Sequence, residues 1–389
     1  MLVGMTADAI RERAAAHEAG VLDLLGRLVA EESVEGSPAI AACLDIVADR
    51  FDGVAATVDR LELDGVPALL VRAGDGDPAR RLTFSGHVDV VPATGGWGSP
   101  PFRLTERDGY LYGRGTCDMK AGVAAAVEAV AVVAELGLLP GISVELALTG
   151  DEEVGSERGT RALLAAGRIT GRAAVCCEPT GLGVLLGNRG LVWMDVAVTG
   201  RGGHAGMAHA LANPIDTSAA LIGALGAIPL TARDDRFDPP LPTLTLTRVT
   251  ADGGGRNVVP DRVEVGIDRR LLPGEDPETA IAEIERAVAE AVRPPFAAET
   301  SVARRWPPYA IGADRPVARA AAAAVRASGR EPAFGMDSAA NDSSWLDAAG
   351  IDTVLLGPGD PPRAHATDER VDPAEVVAAV EIYARLMAE

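Results

Sequence analysis

Between residues 6 and 187 the sequence alternates segments typical of helices with short, almost continuous apolar runs. The helical segments are 6–31, 37–52, 120–137 and 157–167, and the apolar runs are ALLVRAG, RLTFSGH, ISVELALTG and AAVCCEPT. Buried strands separated by helices are typical of a largely parallel sheet with helices packed on it. The pattern therefore predicts an α/β fold. It returns after residue 310, with a helix over 314–328, the strand DTVLLGPG and a last helix from Pro373.

A different order of elements lies between residues 189 and 300. Strand, helix, strand, strand, helix and strand follow one another as LVWMDVAVTG, NPIDTSAALIGALGAI, TLTLTRVTA, RVEVGIDRR, DPETAIAEIERAVAEAV and AETSVAR. This β-α-β-β-α-β order predicts a ferredoxin-like α+β domain, and Asp276 is placed to cap the second helix. Because the α/β pattern continues on both sides, we interpret this domain as an insertion. The predicted domains are residues 1–188, 189–300 and 301–389.

Composition limits the partners and the compartment that we expect. The chain has 389 residues, enough for two domains, and a formal net charge of −20, whereas nucleic acid and anionic membranes need basic patches on a partner. No signal peptide and no run of about 18 apolar residues, the length of a membrane span, is visible. The four cysteines, Cys43, Cys117, Cys176 and Cys177, contain no CxxC pair, which favours reduced thiols. We therefore expect a cytoplasmic protein with a small-molecule substrate and neither nucleic acid nor membrane as partner.

Histidine and acidic side chains follow several of the predicted strands. Of the five histidines, three come directly after a strand, namely His87, His204 and His365. Acidic residues lie in the same kind of position in the motifs GHVDVVP, GRGTCDMK, TGDEEVG and CCEPT. Ligands of a doubly wound sheet bind beyond the carboxyl ends of the strands, so we expect these side chains to gather at one edge. Separately solvated surface acids are the competing interpretation.

A group of imidazoles and carboxylates is suited to a divalent metal ion. Mixed nitrogen and oxygen ligands favour Zn²⁺ or a similar ion, and the surplus of carboxylates favours two ions that share a ligand. Glu152 and Glu153 are neighbours, so on an extended backbone their side chains point in opposite directions. One of them can then bind metal while the other faces a metal-bound water. A two-metal phosphatase would need cationic groups for its phosphate, and no cluster of Lys or Arg borders these motifs.

Seven motifs, in this order and spacing, resemble the co-catalytic zinc amidohydrolases and peptidases. That family includes acetylornithine deacetylase, succinyl-diaminopimelate desuccinylase, glutamate carboxypeptidase and aminoacylase. The motifs are GHVDVVP, GRGTCDMKAG, TGDEEVGS, CCEPT, GRGGHAG, GGGRNVVPD and GPGDPPRAH. The resemblance implies a zinc-peptidase-like, mostly parallel sheet with an inserted dimerisation or lid domain. It also implies a homodimer and two divalent ions, with zinc expected and cobalt or manganese as alternatives.

The resemblance assigns a role to each residue of the predicted centre. The metal ligands would be His87 and Glu178 for one ion, Glu153 and His365 for the other, and Asp118 as the bridge. Asp89 would hydrogen-bond His87 and fix its tautomer, and Glu152 would be the general base. A hydroxide that bridges the two ions would attack an amide carbonyl. The peptide bond between Asp118 and Met119 is a candidate for the cis form.

In the inserted domain the resemblance points to three more residues. His204 would stabilise the oxyanion, and members of the family supply this histidine across a dimer interface. Asn257 and Arg270 match positions that hold the carboxylate of the substrate. The alternative interpretation of Arg270 is an ion pair with a carboxylate of its own strand, Asp268 or Glu264.

The resemblance implies hydrolysis of the amide bond of an N-acyl amino acid, with acetylornithine deacetylase as the nearest type. A carboxypeptidase or dipeptidase that uses the same centre is the close alternative. A non-catalytic metal-binding member of the fold is a third interpretation, which the presence of Glu152 disfavours. Two departures from the family pattern stand out. Ser344 occupies the position where desuccinylases usually carry an arginine for the succinyl end, and Asp368-Glu369 replaces the usual Asn-Glu pair after His365.

Overall fold

A computed structural model describes residues 2–253 and 255–389 of the chain. The helices are α1 (Leu2–Ala16), α2 (Glu18–Ala30), α3 (Ala39–Asp49), α4 (Lys120–Glu135), α5 (Thr160–Ala165), α6 (Pro214–Gly226), α7 (Pro277–Ala291), α8 (Pro316–Ala327), α9 (Ser343–Ala348) and α10 (Pro373–Ala388). None of these helices combines the length and the hydropathy that crossing a membrane requires.

The strands of the same ranges are β1 (Ala56–Leu63), β2 (Val66–Ala73), β3 (Leu82–His87), β4 (Thr105–Arg107), β5 (Tyr110–Tyr112), β6 (Val144–Thr149), β7 (Ala173–Cys176), β8 (Val184–Asn188), β9 (Gly190–Thr199), β10 (Gly203–His204), β11 (Thr243–Ala251), β12 (Val258–Val259), β13 (Arg262–Leu271), β14 (Ala297–Trp306), β15 (Tyr309–Ala310), β16 (Phe334–Asp337), β17 (Asp352–Leu355) and β18 (Arg370–Val371). Short 3₁₀ turns lie at Pro78–Arg80, Glu152–Val154, Ala205–Ala210 and Pro361–Arg363.

Two compact units make up the chain. The first contains the chain up to Gly187 together with Ile311–Gly335 and Asn341–Glu389, and the second contains Asn188–Ala310 and Met336–Ala340. The predicted boundary at residue 300 falls within β14, which pairs with β9 as far as Trp306. Backbone pairing with β9 resumes after an irregularity between Val302 and Arg304 and holds both parts of β14 in one sheet, so the domain boundary does not divide the strand. Residues 336–340, which the sequence placed in the catalytic domain, also lie in the second unit.

The central sheet of the first unit confirms the predicted α/β fold. Its main strands lie in the order β1-β2-β6-β3-β7-β17-β8. The neighbours β6, β3, β7 and β17 run parallel to one another, whereas β1, β2 and β8 pair antiparallel with their neighbours. The carboxyl ends of the four parallel strands therefore meet at one edge of the sheet, and the residues that follow them are brought together.

Helix α4 is the central helix of the first unit. Every residue from Lys120 to Val133 is buried, and the helix contacts α10, α2 and α1 as well as β3 and β6. A side chain at Gly122 would place its Cβ 2.1 Å from the carbonyl oxygen of Cys177, so only glycine fits there. This close approach brings the start of α4, with Asp118 just before it, against the segment that follows β7.

The second unit has the predicted ferredoxin-like arrangement. Its antiparallel sheet has the order β11-β13-β9-β14. Helices α6 and α7 pack on the sheet through an apolar core that includes Val192, Leu221 and Ile284. Asp276 caps α7 as predicted, because its carboxylate accepts a hydrogen bond from the main-chain N–H of Thr279 at 2.9 Å.

His17 divides the predicted helix over 6–31 into α1 and α2. The ring is buried, and its Nδ1 lies 2.6 Å from Oε2 of Glu128, whose side chain is fully buried in α4. Arg50, at the end of α3, donates two more hydrogen bonds to this carboxylate, at 2.6 and 2.8 Å. The hydrogen bond that His17 donates to the Glu128 carboxylate raises the pKa of His17, although burial opposes the charge. A buried carboxylate with cationic partners from two other elements thus joins α4 to α2 and α3.

Protonated His17 is expected to stabilise the folded chain at low pH. Its pKa is raised above the ordinary value of 6.5, so the contribution is fully present below pH 6.5 and is lost as the pH rises through the raised pKa. His17→Gln should therefore lower the free energy of unfolding more at about pH 6 than at about pH 9. Urea denaturation with a chelator present measures this, with His209→Gln, at an exposed position, as the control. An equal loss at both pH values would contradict the ion pair.

Candidate metal centre

His87 ends β3 at the edge of the sheet where the parallel strands meet. Its ring is 1% exposed. Nδ1 donates to the main-chain oxygen of Asp89 at 2.9 Å, and Nε2 lies 3.1 Å from Oδ1 of Asp118. Because a carbonyl oxygen only accepts, Nδ1 carries a hydrogen and Nε2 is the atom that can bind a metal ion.

Asp118 lies between two histidines. It ends the loop that leads from β5 into α4, and the peptide bond that joins it to Met119 is cis, as the resemblance implied. Its Oδ1 faces Nε2 of His87 at 3.1 Å, and its Oδ2 faces Nε2 of His365 at 3.2 Å. A carboxylate whose two oxygens face different imidazoles has the geometry of a ligand that two ions share.

Three more predicted ligands complete the group. His365 lies ten residues beyond β17, and its Nε2 is 3.1 and 3.0 Å from the two carboxylate oxygens of Glu153. Glu178 comes two residues after β7, and its Oε1 lies 3.8 Å from Nε2 of His87. One ligand atom from each of His87, Asp118 and Glu153 lies within 4.8 Å of the others. All five side chains predicted as ligands therefore come together.

The carboxylates of this group repel one another. Burial raises the pKa of Glu153, and burial together with the charge of Glu178 raises the pKa of Glu152 well above its usual range. Asp118 behaves differently, since hydrogen bonds from the two histidines outweigh its burial and hold its pKa below the usual range. Within the described ranges, the cations that pair with Asp118 and Glu153 are imidazoles alone.

The donor set fits two divalent ions. Imidazole nitrogens and carboxylate oxygens are ligands that Zn²⁺ accepts, and ions such as Co²⁺ and Mn²⁺ use the same types. One imidazole and one glutamate lie on each side of Asp118, so each ion would have three protein ligands and room for water or substrate. Positive ions at this position would also remove the repulsion among the carboxylates.

Glu152 and Glu153 lie in the 3₁₀ turn Glu152–Val154 and not on an extended backbone. Asp89 supports this turn, because its Oδ2 accepts a hydrogen bond from the main-chain N–H of Glu153 at 2.9 Å. Asp89 hydrogen-bonds His87, as the resemblance implied, and it does so through its main-chain oxygen. The main-chain oxygen of Asp89 is the nearer acceptor for Nδ1, and the carboxylate oxygen Oδ1 is 3.5 Å away. Asp89 thus links the His87 ring to the turn that carries Glu152.

Asp342 was not among the predicted residues, although its charge contributes, after burial, to the raised pKa of Glu152. Its side chain is buried, and Oδ2 accepts a hydrogen bond from Oγ1 of Thr160 at 2.6 Å. An acid directly before a helix is usually interpreted as a cap, and Asp342 precedes α9 without making a cap hydrogen bond. Nothing in the local sequence therefore distinguishes Asp342 from an aspartate that caps a helix.

Two of the three residues predicted in the second unit are neighbours. β10 pairs with β12, and the main-chain N–H of Ala205 donates to the carbonyl of Asn257 at 2.9 Å, so His204 and Asn257 lie side by side. His204 is exposed, and its Nδ1 accepts a hydrogen bond from the main-chain N–H of Gly206 at 3.0 Å. In the neutral ring, Nε2 is therefore the N–H donor.

Arg270, the third of these residues, lies on β13 and is paired within its own strand. Its guanidinium donates to both carboxylate oxygens of Asp268, at 2.8 and 3.0 Å. Asp268 also accepts a hydrogen bond from the indole Nε1 of Trp193, on the neighbouring strand β9, at 2.7 Å. This is the ion pair that the alternative interpretation of Arg270 predicted.

Several known proteins are similar in sequence to this chain over most of its length. The family described as peptidase family M20/M25/M40 matches residues 83–389. The chain is 33% identical over 340 residues to acetylornithine deacetylase of Myxococcus xanthus, which covers 85% of this chain and 86% of the relative. It is 33% identical over 334 residues to succinyl-diaminopimelate desuccinylase of Gluconacetobacter diazotrophicus, which covers 82% and 83% of the two chains.

Solved structures share the fold at low sequence identity. A metallo-carboxypeptidase of the M20 family from Sulfolobus solfataricus gives a TM-score of 0.82 at 18% identity and covers 95% of this chain and 98% of its own. A dinuclear metal-binding peptidase of the M20 family from Bacillus subtilis gives a TM-score of 0.70 at 16% identity and covers 96% and 98%.

Metal binding at this centre is expected to release protons. Hydrogen bonds to Asp118 and Glu153 raise the pKa of His365 to about 10. In chelator-treated protein at about pH 7.5 the ring therefore carries a proton that a metal ion on Nε2 must displace. The affinity should rise with pH up to the raised pKa. Titration calorimetry in two buffers of different ionisation enthalpy measures the protons released, and His365→Ala should release fewer. Binding without proton release would contradict this geometry.

Proposed function

This chain belongs to peptidase family M20/M25/M40, and on that premise we propose that it removes the acyl group from an N-acyl amino acid, as an acetylornithine deacetylase-like deacylase. Its relatives establish a metal-dependent amidohydrolase or peptidase as the broader class. The observation that carries the proposal is the carboxylate of Asp118, whose two oxygens face the imidazoles of His87 and His365 at 3.1 and 3.2 Å. Such a shared ligand supports two ions and amide hydrolysis.

The proposed cofactor is a pair of divalent ions, with zinc favoured over cobalt or manganese. The residues that would hold them are His87, Asp118, Glu153, Glu178 and His365. When bound, such ions acidify a water molecule and polarise the amide carbonyl. The surplus of carboxylates supports two ions, as does the similarity to the dinuclear peptidase of Bacillus subtilis.

Glu152 is the proposed general base. Its side chain belongs to the same turn as Glu153 and is 8% exposed, so it lies at the centre but remains largely shielded from bulk water. Its carboxylate would accept a proton from the attacking water and then transfer that proton to the leaving amine. Asp89 would keep the turn in place through the main-chain N–H of Glu153.

The second unit is proposed to bind the reacting carbonyl and the rest of the substrate. Nε2 of His204 would donate to the oxyanion, which the tautomer set by Gly206 supports. The neighbouring Asn257 and the guanidinium of Arg270, restrained by Asp268, would hold the carboxylate of the amino acid.

A homodimer is the proposed assembly. The sheet of the second unit ends in two edge strands, β11 and β14, and α6 exposes Ile215 at its first turn. Edge strands and apolar helix faces are surfaces through which two copies can pair about a two-fold axis.

Ser344 supports a neutral acyl group over a succinyl group. Its side chain is fully buried at the start of α9, and a serine offers no positive charge to a succinyl carboxylate. A hydrogen bond to a charged group contributes about 1.5–3 kcal/mol. N-acetyl substrates should therefore be favoured over N-succinyl substrates by about 10–100-fold in kcat/KM.

A substrate panel tests the proposed reaction. The panel contains N-acetyl and N-succinyl amino acids and dipeptides, each assayed with Zn²⁺, Co²⁺ and Mn²⁺. We expect the highest kcat/KM on an N-acetyl amino acid. Dipeptides as the best substrates would instead establish the carboxypeptidase or dipeptidase alternative.

Glu152→Gln separates catalysis from metal binding. It should keep the metal content and lower kcat by about 10²–10⁴-fold, because only the proton acceptor is removed. Elemental analysis and single-substrate kinetics measure the two effects. Near-parental turnover would remove Glu152 from the role of base, and turnover on no substrate by the metal-loaded parent would favour a non-catalytic member of the fold.

His204→Ala tests whether the oxyanion donor acts across a dimer. This variant should lower kcat by about 10²–10³-fold at unchanged metal content, as for the loss of one oxyanion donor. His209→Ala, in the same exposed segment, is the control and should remain active. Mixing His204→Ala with Glu152→Gln under subunit exchange should restore activity, because one hybrid site has both groups intact. If subunit exchange is confirmed and no activity returns, His204 either acts on the metal centre of its own chain or takes no part in the reaction.

A further inference from the structure

Glu369 lies four residues after His365, and its side chain is fully buried. Oε1 accepts hydrogen bonds from the main-chain N–H groups of Cys117 at 2.8 Å and Asp118 at 3.0 Å. Oε2 accepts a hydrogen bond from the main-chain N–H of Gly115 at 3.0 Å. Three donors of the loop that ends at Asp118 therefore converge on one carboxylate, and that carboxylate comes from the segment that carries His365.

Arg114 supplies the charge that opposes this carboxylate. Its Nη1 lies 2.6 Å from Oε2 of Glu369, and its side chain is 3% exposed. Nη1 is also 3.4 Å from the main-chain oxygen of Ala366, and Nη2 is 3.4 Å from that of Pro92. The guanidinium lies 5.1 Å from the centre of the Trp97 ring. One buried ion pair thus connects the segment after β3, the loop before α4 and the segment after β17.

The neighbouring residue adds a second connection between the same segments. Oδ1 of Asp368 accepts a hydrogen bond from the main-chain N–H of Gly98 at 2.8 Å. The main-chain oxygen of Glu369 accepts one from Gly113 at 3.0 Å, and the pairing of β18 with β5 continues from there. The Asp368-Glu369 pair is therefore a link between two distant parts of the chain.

A carboxylate that meets four donors in the protein interior has one stable orientation. Hydrogen bonds to an ionised acceptor are stronger than neutral ones. Turning Glu369 away would leave buried N–H donors unpaired, which is costly. Asp118 and His365 therefore keep a defined separation, and residues that orient metal ligands in this way affect metal affinity.

We propose that Glu369 is a positioning residue of the metal centre, which sets the separation of Asp118 and His365 and thereby the metal affinity. This inference rests on the ligands assigned in the proposed function. Of the two proposed metal sites, the one that contains His365 has two ligands, Asp118 and His365, on the segments that Glu369 connects. The site that contains His87 has only one such ligand, Asp118. A change at Glu369 therefore weakens the His365 site more than the His87 site.

Glu369→Gln tests the positioning role. The glutamine amide has the same shape as the carboxylate, but its NH₂ group cannot accept the hydrogen bonds that one carboxylate oxygen accepts. Co²⁺ is titrated into chelator-treated parent and variant, and calorimetry and visible absorption follow each binding step. The Co²⁺ affinity of the His365 site should fall by about 10–100-fold, with a smaller fall at the His87 site. His365→Ala and Glu178→Ala, titrated in parallel, identify which step belongs to which site.

Glu145→Gln is the matched control. Glu145 is also fully buried, on β6, and it accepts hydrogen bonds from Nε of Arg72 at 2.8 Å and the main-chain N–H of Thr170 at 3.0 Å. Its third partner is Oγ1 of Thr83 at 3.1 Å, and none of the three is a proposed ligand. This variant should lower the melting temperature and leave both Co²⁺ affinities unchanged.

The two affinities decide the outcome. Glu369→Gln with lowered melting temperature and both affinities within about twofold of the parent would overturn the proposal, because positioning residues change affinity tenfold or more. A parent that binds fewer than two ions would instead overturn the proposed metal centre, and the inference with it.

If Glu369→Gln does not fold, Arg114→Gln removes the guanidinium and leaves the main-chain donors in place. It should weaken the same site, and a folded variant with unchanged affinities would overturn the proposal.

Discussion

The repulsion among carboxylates at the ends of the parallel strands is the constraint that the rest of the first unit has to offset. Four adjacent strands end at one edge, and the residues that follow them include Glu152, Glu153 and Glu178. Burial raises the pKa of Glu152 and of Glu153, and the negative charges of neighbouring carboxylates raise both pKa values further. The two imidazoles beside Asp118 oppose this charge only in part. The large apolar core and the buried ion pairs of the first unit stabilise a fold that contains an edge which is electrostatically unfavourable without metal ions.

Three fully buried glutamates outside the proposed centre have guanidinium partners, whereas Asp118 and Glu153 have, among the residues that the structure describes, imidazole partners alone. Glu128, Glu145 and Glu369 are fully buried, and each pairs with a guanidinium, that of Arg50, Arg72 or Arg114. Glu128 pairs with the imidazole of His17 in addition to its guanidinium. A guanidinium does not lose its proton in a protein, so these carboxylates are permanently neutralised. Asp118 and Glu153 face imidazoles instead. An imidazole can exchange its proton for a metal ion, and such a pair can therefore become a binding site.

The proteins similar to this chain carry the names of different hydrolases, so membership of the family does not fix the substrate. A deacetylase, a desuccinylase and a carboxypeptidase are all similar to this chain. A centre of the kind proposed here could hydrolyse an amide bond in any of these classes of substrate. In this chain the groups proposed to bind the carboxylate of the substrate are Asn257 and Arg270, and the absence of an arginine at Ser344 is proposed to disfavour a succinyl group. On this proposal, selectivity would depend on a few side chains outside the metal centre.

The amino-acid sequence by itself determined the order of helices and strands, the insertion of a ferredoxin-like domain and the identity of the side chains at the strand ends. Hydrophobic periodicity and polar residues after apolar runs are local properties, so they can be recognised without coordinates. Tertiary structure decided the features that depend on contacts between distant segments. Asp89 reaches the turn of Glu153, β14 extends to Trp306, and Glu369 binds Cys117 across 252 positions of the chain. No local pattern encodes such a contact, because a buried carboxylate and its N–H donors meet only when the whole sheet and its loops have folded.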